Sequence, residues 1–321
     1  MKYINNESMN PYFNLALEEY FLKQTDMEVF ILWRNDNTIV VGKSQNTAAE
    51  INTSYVKEHN ISVVRRLTGG GAVYHDKGNL NFTFIVSNSG GWFSDFGRFT
   101  DPVIKVLRDL GVNAENSGRN DITVDGCKIS GNAQTVYKNR ILHHGTLLFS
   151  ADISKIAGAL NPHEVKISCK GIKSVKSRVT NISPHMNKKI TVEEFKDLLA
   201  EIFGFEEYAL NNDDIDKITR LEREKYSTWE WNFSFSPEYS FKNNMRFDGG
   251  CIEIHLDVKD GIIKNARIFG DFFGTGEIAE IERALVGVRH GAEDIKKALS
   301  AFDFNKYFLN ISLDNFLELI Q

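Results

Sequence analysis

Cysteine is scarce. The 321-residue chain has three, Cys127, Cys169 and Cys251. They are odd in number and far apart, so neither a disulfide framework nor a metal-ligand spacing follows, and a reducing cytoplasm is the expected setting. Long apolar runs are absent too. No stretch reaches the ~20 residues that a membrane-spanning helix needs, and the first residues, MKYINNESMNPYF, hold no apolar signal core. Net positive charge is also missing. The formal charge is −5, which disfavours non-specific binding to nucleic acid or to an anionic membrane, so any anion site must be local. There is no internal repeat or low-complexity segment. The remaining composition, 42% hydrophobic and 25% charged, is that of a globular protein able to bury a sizeable core. The length suggests two domains, or a large one with an appendage.

The hydrophobic pattern gives the organisation. Residues 11–24 read as a helix with Pro11 in its first turn and Phe13, Leu17, Tyr20 and Phe21 on one face. VFILWR (29–34) and TIVVGK (38–43) read as strands joined by a short polar turn, Asn35–Asn37. ISVVRRLT (61–68), AVYH (72–75) and LNFTFIV (80–86) follow as strands, then a helix over 97–110. ITV and CKIS flank Asp125-Gly126, a dipeptide that favours the positive φ angles of a tight hairpin. RILHHGTLLFS (140–150) is a further strand, and Asp152 can cap a short helix after it. Thr191 opens a helix with a Thr-x-x-Glu capping box, and 211–226 is another, highly charged helix. The mixture predicts an α+β fold with a mixed, largely antiparallel sheet flanked by helices, not a doubly wound βαβ repeat. The polar stretch 234–250 contains the expected domain boundary. Beyond it, CIEIHLDV and IIKNARIF form a hairpin about Lys259-Asp260-Gly261, with helices near 276–285, 292–301 and 312–320. The expected domains are 1–242 and a small α/β unit, 243–321.

RRLTGGGAVYHDKGNLNFTF (65–84) carries the densest chemistry. Gly69, Gly70 and Gly71 lack a Cβ, so ligand oxygens can approach their N–H groups. Arg65 and Arg66, adjacent on a strand, point to opposite faces, so only one lines a pocket directly and the other anchors the loop or meets a carboxylate. The planar guanidinium fork suits phosphate or carboxylate. Taken alone, the three glycines are as well explained by a plain turn. A Walker A loop is excluded because its Lys-Ser/Thr pair is missing, and a dinucleotide fingerprint because no G-x-G-x-x-G opens a helix. A second cluster, SGRNDITVDGCKISGNAQ (117–134), sets Lys128 on a hairpin between polar glycine turns, with Arg119, Asn120 and Asp121 before its first strand. A third, LHHGTLLF (142–149), puts His143 and His144 mid-strand. The plain expectation there is one core and one surface histidine, and no further ligand spacing supports zinc.

These clusters, with KGIKSVKSRVTNI (170–182), NLALEEY (14–20), ILWRN (31–35), STWEWNF (227–233) and the C-terminal GGCIEIHLDVKDGII, together resemble the lipoate–protein ligase family. The resemblance runs from residue 3 to about 265 and continues more weakly to the end. It implies a biotin/lipoate ligase-type catalytic domain with a C-terminal accessory domain. It also implies a two-step reaction: lipoate and ATP give lipoyl-adenylate and pyrophosphate, and an acceptor lysine then attacks the mixed anhydride and releases AMP. Acceptors would be lipoyl domains of 2-oxo acid dehydrogenase complexes and the glycine cleavage H protein. By similarity, Lys128 is the catalytic residue and touches both α-phosphate and acyl carbonyl. Arg66 and Gly71, Ala72, Val73 and Tyr74 match nucleotide-contacting positions, and Gly70 and His144 lie toward lipoate. Asn79 and Asp121 are supporting candidates, Asp121 as a residue to place Mg2+, which would neutralise the leaving pyrophosphate. Phe82 and Trp33 would wall an apolar tunnel for the dithiolane chain. An acyl-adenylate is half anion and half hydrocarbon, which a glycine-arginine cradle between apolar strands suits.

Three rivals have different signatures. A cysteine-dependent octanoyl or lipoyl transferase of the same fold would use Cys169, whose thiol the neighbouring Lys170 would activate. Such transferases lack the accessory domain seen here after about residue 250, and this chain keeps the Lys128 segment that adenylation needs. Biotin ligase would need a G-R-G-R-type loop, which is absent. A non-catalytic ligand-binding regulator would be expected to carry an N-terminal helix-turn-helix, which is also absent.

Overall fold

The first helix begins where the local chemistry allows it. The Asn10 side chain accepts from the Tyr12 N–H at 3.0 Å, and Pro11 occupies a position whose N–H would have no helical partner. A computed structural model of the chain describes residues 1–45, 47–117, 120–160, 179–234, 239–270, 272 and 275–320. In it helix α1, Pro11–Lys23, is buried on nearly every side. One apolar face is therefore too narrow a description: Phe13 is only half-buried, whereas Glu18 and Glu19 are enclosed. The cause is position. α1 packs against sheet strands and against the helix Asn212–Leu221 with its π-helical continuation, Glu222–Tyr226.

The strands are β1 (Lys2–Asn5), β2 (Val29–Trp33), β3 (Thr38–Val41), β4 (Ser62–Arg65), β5 (Val73–His75), β6 (Asn79–Ser87), β7 (Ala114–Ser117), β8 (Asp121–Val124), β9 (Cys127–Tyr137), β10 (Arg140–Leu148), β11 (Glu206–Glu207), β12 (Tyr239–Phe247), β13 (Gly250–Lys259) and β14 (Ile262–Gly270). Eight form one sheet in the order β11-β1-β2-β6-β10-β9-β8-β7. Its β11–β1 and β1–β2 pairs are parallel and the others antiparallel, so the sheet is mixed and largely antiparallel, as the pattern predicts. The β8–β9 turn has φ of 50° at Asp125 and 75° at Gly126, the geometry of a two-residue hairpin.

A short turn joins β2 to β3 without pairing them. β2 and β3 do not form a hairpin. β2 lies in the large sheet between β1 and β6, and β3 crosses to a small sheet of order β4-β3-β5. Both strands are wholly buried, so each needs a partner layer on both sides, and two adjacent arms of one hairpin would not supply it.

The chain forms two compact units, Met1–Gln45 with Tyr55–Thr228, and Asn46–Ser54 with Trp229–Gln321. In the first, alternate residues of β6 face opposite layers. Phe82, Phe84 and Val86 join a core with Phe30, Phe99, Leu107 and Phe195, to which the helices Gly97–Asp109 and Val192–Phe203 contribute. Asn81 and Thr83 face the other way, toward α1.

In the second unit, β12, β13 and β14 make an antiparallel meander. Ile252, Ile254, Leu256 and Val258 of β13 pack with residues of the helices Ile278–Leu285, Ala292–Leu299 and Leu313–Leu319. The polar stretch read as a boundary thus contains a strand: Phe241, Asn243, Met245 and Phe247 turn inward while Lys242, Asn244 and Arg246 are exposed. Position 242/243 falls inside that strand, and the units divide after Thr228 instead.

Candidate active site

A cleft opens where β5, the glycine loop, β9 and β10 converge. Register decides which side chains reach it. His144 of β10 stands opposite Thr83 of β6 and Ala133 of β9, and His143 stands opposite Phe84 and Gln134. Side chains alternate across a sheet, so His144, Ala133 and Asn81 line the cleft while His143 enters the aromatic core.

This corrects two expectations. Neither histidine is at the surface: His143 is 0% and His144 8% exposed, because β10 is an interior strand covered on both faces. Phe82 does not wall the cleft. It is on the core side and stacks on His143 at 5.9 Å.

Of the other anticipated residues, Arg66, Gly70, Gly71, Val73, Lys128 and Trp33 line the cleft with His144. Ala72, Tyr74, Asn79 and Asp121 do not. Tyr74 donates to Asn37 Oδ1 at 2.8 Å, and Asn79 is fully buried and donates to Asn81 at 3.0 Å. Asp121 reaches the cleft indirectly, through an ion pair with Lys128 at 2.7 Å. Arg119, Cys169 and Lys170 lie outside the described residues. Beyond the last of these, Val179 forms a parallel bridge with Lys128, and Thr180 N–H donates to the Lys128 carbonyl at 3.0 Å.

The two arginines divide as alternation requires. Arg65 turns away from the cleft and Nη1 donates to the carbonyls of Gly42, Lys43 and Gln45 at 2.8–3.0 Å. Arg66 lines the cleft and ties the glycine loop to itself, donating to Gly69 O (2.7 Å), Gly71 O (2.9 Å), Val40 O (3.1 Å) and Thr68 Oγ1 (2.9 Å). Burial lowers its pKa to about 10, so it stays a cation at neutral pH. Two glycines are required by geometry. Gly70 has φ +93°, and a Cβ there would sit 3.0 Å from Arg66 Nη2. A Cβ on Gly42 would lie 2.1 Å from the Gly70 carbonyl oxygen, so the end of β3 and the loop touch backbone to backbone.

Sequence reasoning missed His75 and Asn81. The signal for His75 was present: it follows Val73 by two on β5 and must share its face. Asn35 donates to His75 Nδ1 at 3.2 Å and itself accepts from Asn14 at 2.8 Å, which sets the sense of that amide. The ring proton is then on Nε2, a buried donor that meets no acceptor among the described residues and belongs to a side chain lining the cleft. A buried donor without a partner is costly, and an oxygen-rich ligand would relieve it.

Burial lowers the pKa of both His75 and His143 to about 3. The folded rings stay neutral while unfolded ones protonate near 6.5. Stability from this source is therefore complete above pH 6.5 and is lost progressively as pH falls toward 3. From pH 7 to pH 5 we expect a loss of roughly 2 kcal/mol per histidine in the first unit. Urea melts at the two pH values measure it. A midpoint unchanged down to pH 5 would contradict buried neutral rings, because lowered carboxylates act only at more acidic pH.

Residues 10–204 match the family described as the lipoyl protein ligase A/B catalytic domain, and residues 236–320 match the bacterial lipoate protein ligase C-terminus. The chain is 46% identical to lipoate–protein ligase 1 of Staphylococcus aureus and 48% identical to lipoate-protein ligase LplJ of Bacillus subtilis, in each case over 100% of both chains. Among solved structures it is similar to an archaeal bipartite lipoate protein ligase from Thermoplasma acidophilum, studied with its E2 lipoyl domain (27% identity, TM-score 0.66, 74% of this chain and 98% of that one). It is also similar to a lipoate-protein ligase A bound with ATP (27% identity, TM-score 0.63, 72% and 98%). The chain belongs to the lipoate–protein ligase family and is a ligase enzyme.

Proposed function

We propose that the cleft activates lipoate with ATP to lipoyl-AMP and passes the lipoyl group to a lysine of a lipoyl domain. The observation that carries this reading is the make-up of the cleft. Lys128, the cationic Arg66, the bare backbone of Gly70 and Gly71 and the unpartnered His75 Nε2–H share one cavity with Leu15, Trp33, Val40 and Val73. The first set suits phosphate and carboxylate oxygens, and the second an aliphatic chain.

In the first half-reaction the carboxylate attacks the α-phosphate, and negative charge grows on non-bridging oxygens. A positioned ammonium and N–H donors stabilise that charge most as it develops. In the second, charge grows on the acyl carbonyl oxygen, within reach of the same ammonium. Lys128 would leave Asp121 for the ligand in both steps.

Among the described residues no group of three or more His, Cys, Asp or Glu could hold a metal ion. The donor set therefore fits a magnesium ion that arrives on the nucleotide's own oxygens, with Asp121 as a carboxylate at hand. When bound it would neutralise the leaving pyrophosphate.

The ATP-bound and lipoyl-domain neighbours support nucleotide and acceptor. The H protein of glycine cleavage belongs to the proposal as an acceptor of the same kind. So does a cytoplasmic location, which the sparse, unpatterned cysteines favour. No helix among the described residues is long and apolar enough to cross a membrane.

Protein mixed with ATP, magnesium and lipoate should release pyrophosphate and retain a lipoyl-adenylate visible by mass spectrometry. Its absence with folded protein would refute the reading. The transferase alternative is tested by Cys169→Ala. A thioester route needs that sulfur as nucleophile, whereas an adenylate is already activated. We expect the variant to keep ATP-dependent lipoylation, and the parent to transfer nothing from octanoyl carrier protein without ATP. A folded but inactive variant, with an acyl-enzyme trapped in the parent, would reverse the choice.

A further inference from the structure

Glu18 is 3% exposed, sits in the middle of α1 and does not line the cleft. A carboxylate enclosed this way is expensive unless its oxygens are used. They are. Thr83 Oγ1 donates to Oε1 at 2.6 Å, and His144 Nδ1 lies 3.0 Å from Oε1 and 3.2 Å from Oε2. On its other side His144 Nε2 is 2.8 Å from Thr68 Oγ1, and that oxygen accepts from Arg66 Nε at 2.9 Å.

The direction of this chain follows from its ends. A guanidinium only donates, so the Thr68 oxygen accepts from Arg66 and its own hydrogen is free to go to His144 Nε2. His144 Nδ1 meets only carboxylate oxygens, so it donates to Glu18. Arg66 donates to Thr68, Thr68 to His144 and His144 to Glu18, all in one sense. The array has a cation at one end, a carboxylate at the other and the imidazole between. Each member is buried: Arg66 6%, Thr68 0%, His144 8% exposed. Buried hydrogen-bond chains of this kind are stiff, because no member can turn without orphaning the next. Arg66 then hands the constraint to Gly69 O and Gly71 O, the carbonyls flanking Gly70.

We propose that Glu18 is a positioning residue for the nucleotide-holding loop. By holding the His144 ring it holds Thr68 and Arg66, and so the set of the loop at residues 69–71, from a carboxylate that does not itself line the cleft. This rests on reading that loop as the phosphate cradle.

The test is kinetic and uses the whole chain, with ATP, magnesium and lipoate as the probes and pyrophosphate release as the readout. Glu18→Gln removes the charge and one acceptor while keeping the volume. Thr68→Val cuts the chain at its middle with a near-isosteric side chain. Each should raise the KM for ATP by about tenfold, with kcat and the KM for lipoate within about threefold of wild type. Because both act on one chain, the double variant should also sit near tenfold, well short of the roughly hundredfold that independent effects would give. Thr68→Ser keeps the hydroxyl and should restore near wild-type values.

A Glu18→Gln protein with a lower melting midpoint but an unchanged KM for ATP would overturn the inference, since it would show a role in packing alone. A rise confined to the KM for lipoate would overturn it too, as would a hundredfold double variant. If Glu18→Gln does not fold, the Thr68→Val and Thr68→Ser pair still decides: equal KM values for ATP in those two sink the proposal. Wild-type protein that releases no pyrophosphate would remove the reading of the cleft itself, whereas active wild type with an indifferent Glu18→Gln removes this inference alone.

Discussion

Lys128→Ala should lose on the order of 10²–10³-fold in pyrophosphate release and, separately, in lipoyl transfer from preformed lipoyl-adenylate. The two losses should be similar, because the same ammonium faces charge that develops on phosphate in one step and on the carbonyl in the next. The melting midpoint should hardly move. Lys128 and its partner Asp121 are both about one-third exposed, at 37% and 34% for the side chains, and an ion pair that open to water contributes little. The site is also tailored around this side chain: a Cβ on Gly131 would lie 2.7 Å from Lys128 Nζ, so the strand leaves room for the ammonium across its own glycine. Near wild-type turnover in both assays would refute the assignment. A loss in adenylation with normal transfer would restrict Lys128 to the first step.

Arg66→Met should damage both folding and nucleotide use. The side chain donates to three backbone carbonyls and a buried hydroxyl. Its loss leaves Val40 O and Thr68 Oγ1 without that donor, and leaves the Glu18 carboxylate without the cation whose field reaches it. Removing one partner from a buried charged array costs on the order of 2–4 kcal/mol. With the loop untied, the KM for ATP should rise by roughly 10²-fold. Arg66→Lys keeps the charge, but an ammonium cannot span Val40, Gly69 and Gly71 as the planar fork does, so it should fall between wild type and Met on both measures. Thermal melts and ATP titrations of the three proteins give the answer. A Met variant that melts and binds ATP like wild type would mean that the loop holds itself.

The elements that were legible in the sequence are those whose cause is local. The Asp125-Gly126 hairpin, the Thr191 capping box and the Asp152 cap are made by residues one to four apart. Each appears as expected: Thr191 and Glu194 cap reciprocally, and Asp152 accepts from Ser154 N–H at 3.1 Å. β12 was passed over because Asn243 interrupts an otherwise alternating apolar face. It is a strand because β13 lies beside it in register over its whole length, which no local count of side chains reports.

The same division holds in the cleft. Arg66, Gly70, Gly71, Val73, Lys128 and His144 stood out by residue type and motif, and they do meet around one cavity. Glu18, His75 and the exclusion of Phe82 did not stand out, because each depends on contacts made across long stretches of chain. His144 faces the cleft and His143 the core only because β10 pairs with β6 so that His144 opposes Thr83. A slip of one residue would exchange the two rings and put Phe82 where Asn81 and Thr83 now face.

The sequence by itself determined the family, the fold class and the set of chemically capable residues, since these reside in side-chain identity and short-range pattern. Only the tertiary structure decided which of those residues face one another. Register, crossover and burial are set by pairing between positions far apart in the chain, as between His144 and Glu18, 126 residues apart, and that pairing is a property of the packed sheet and helices together.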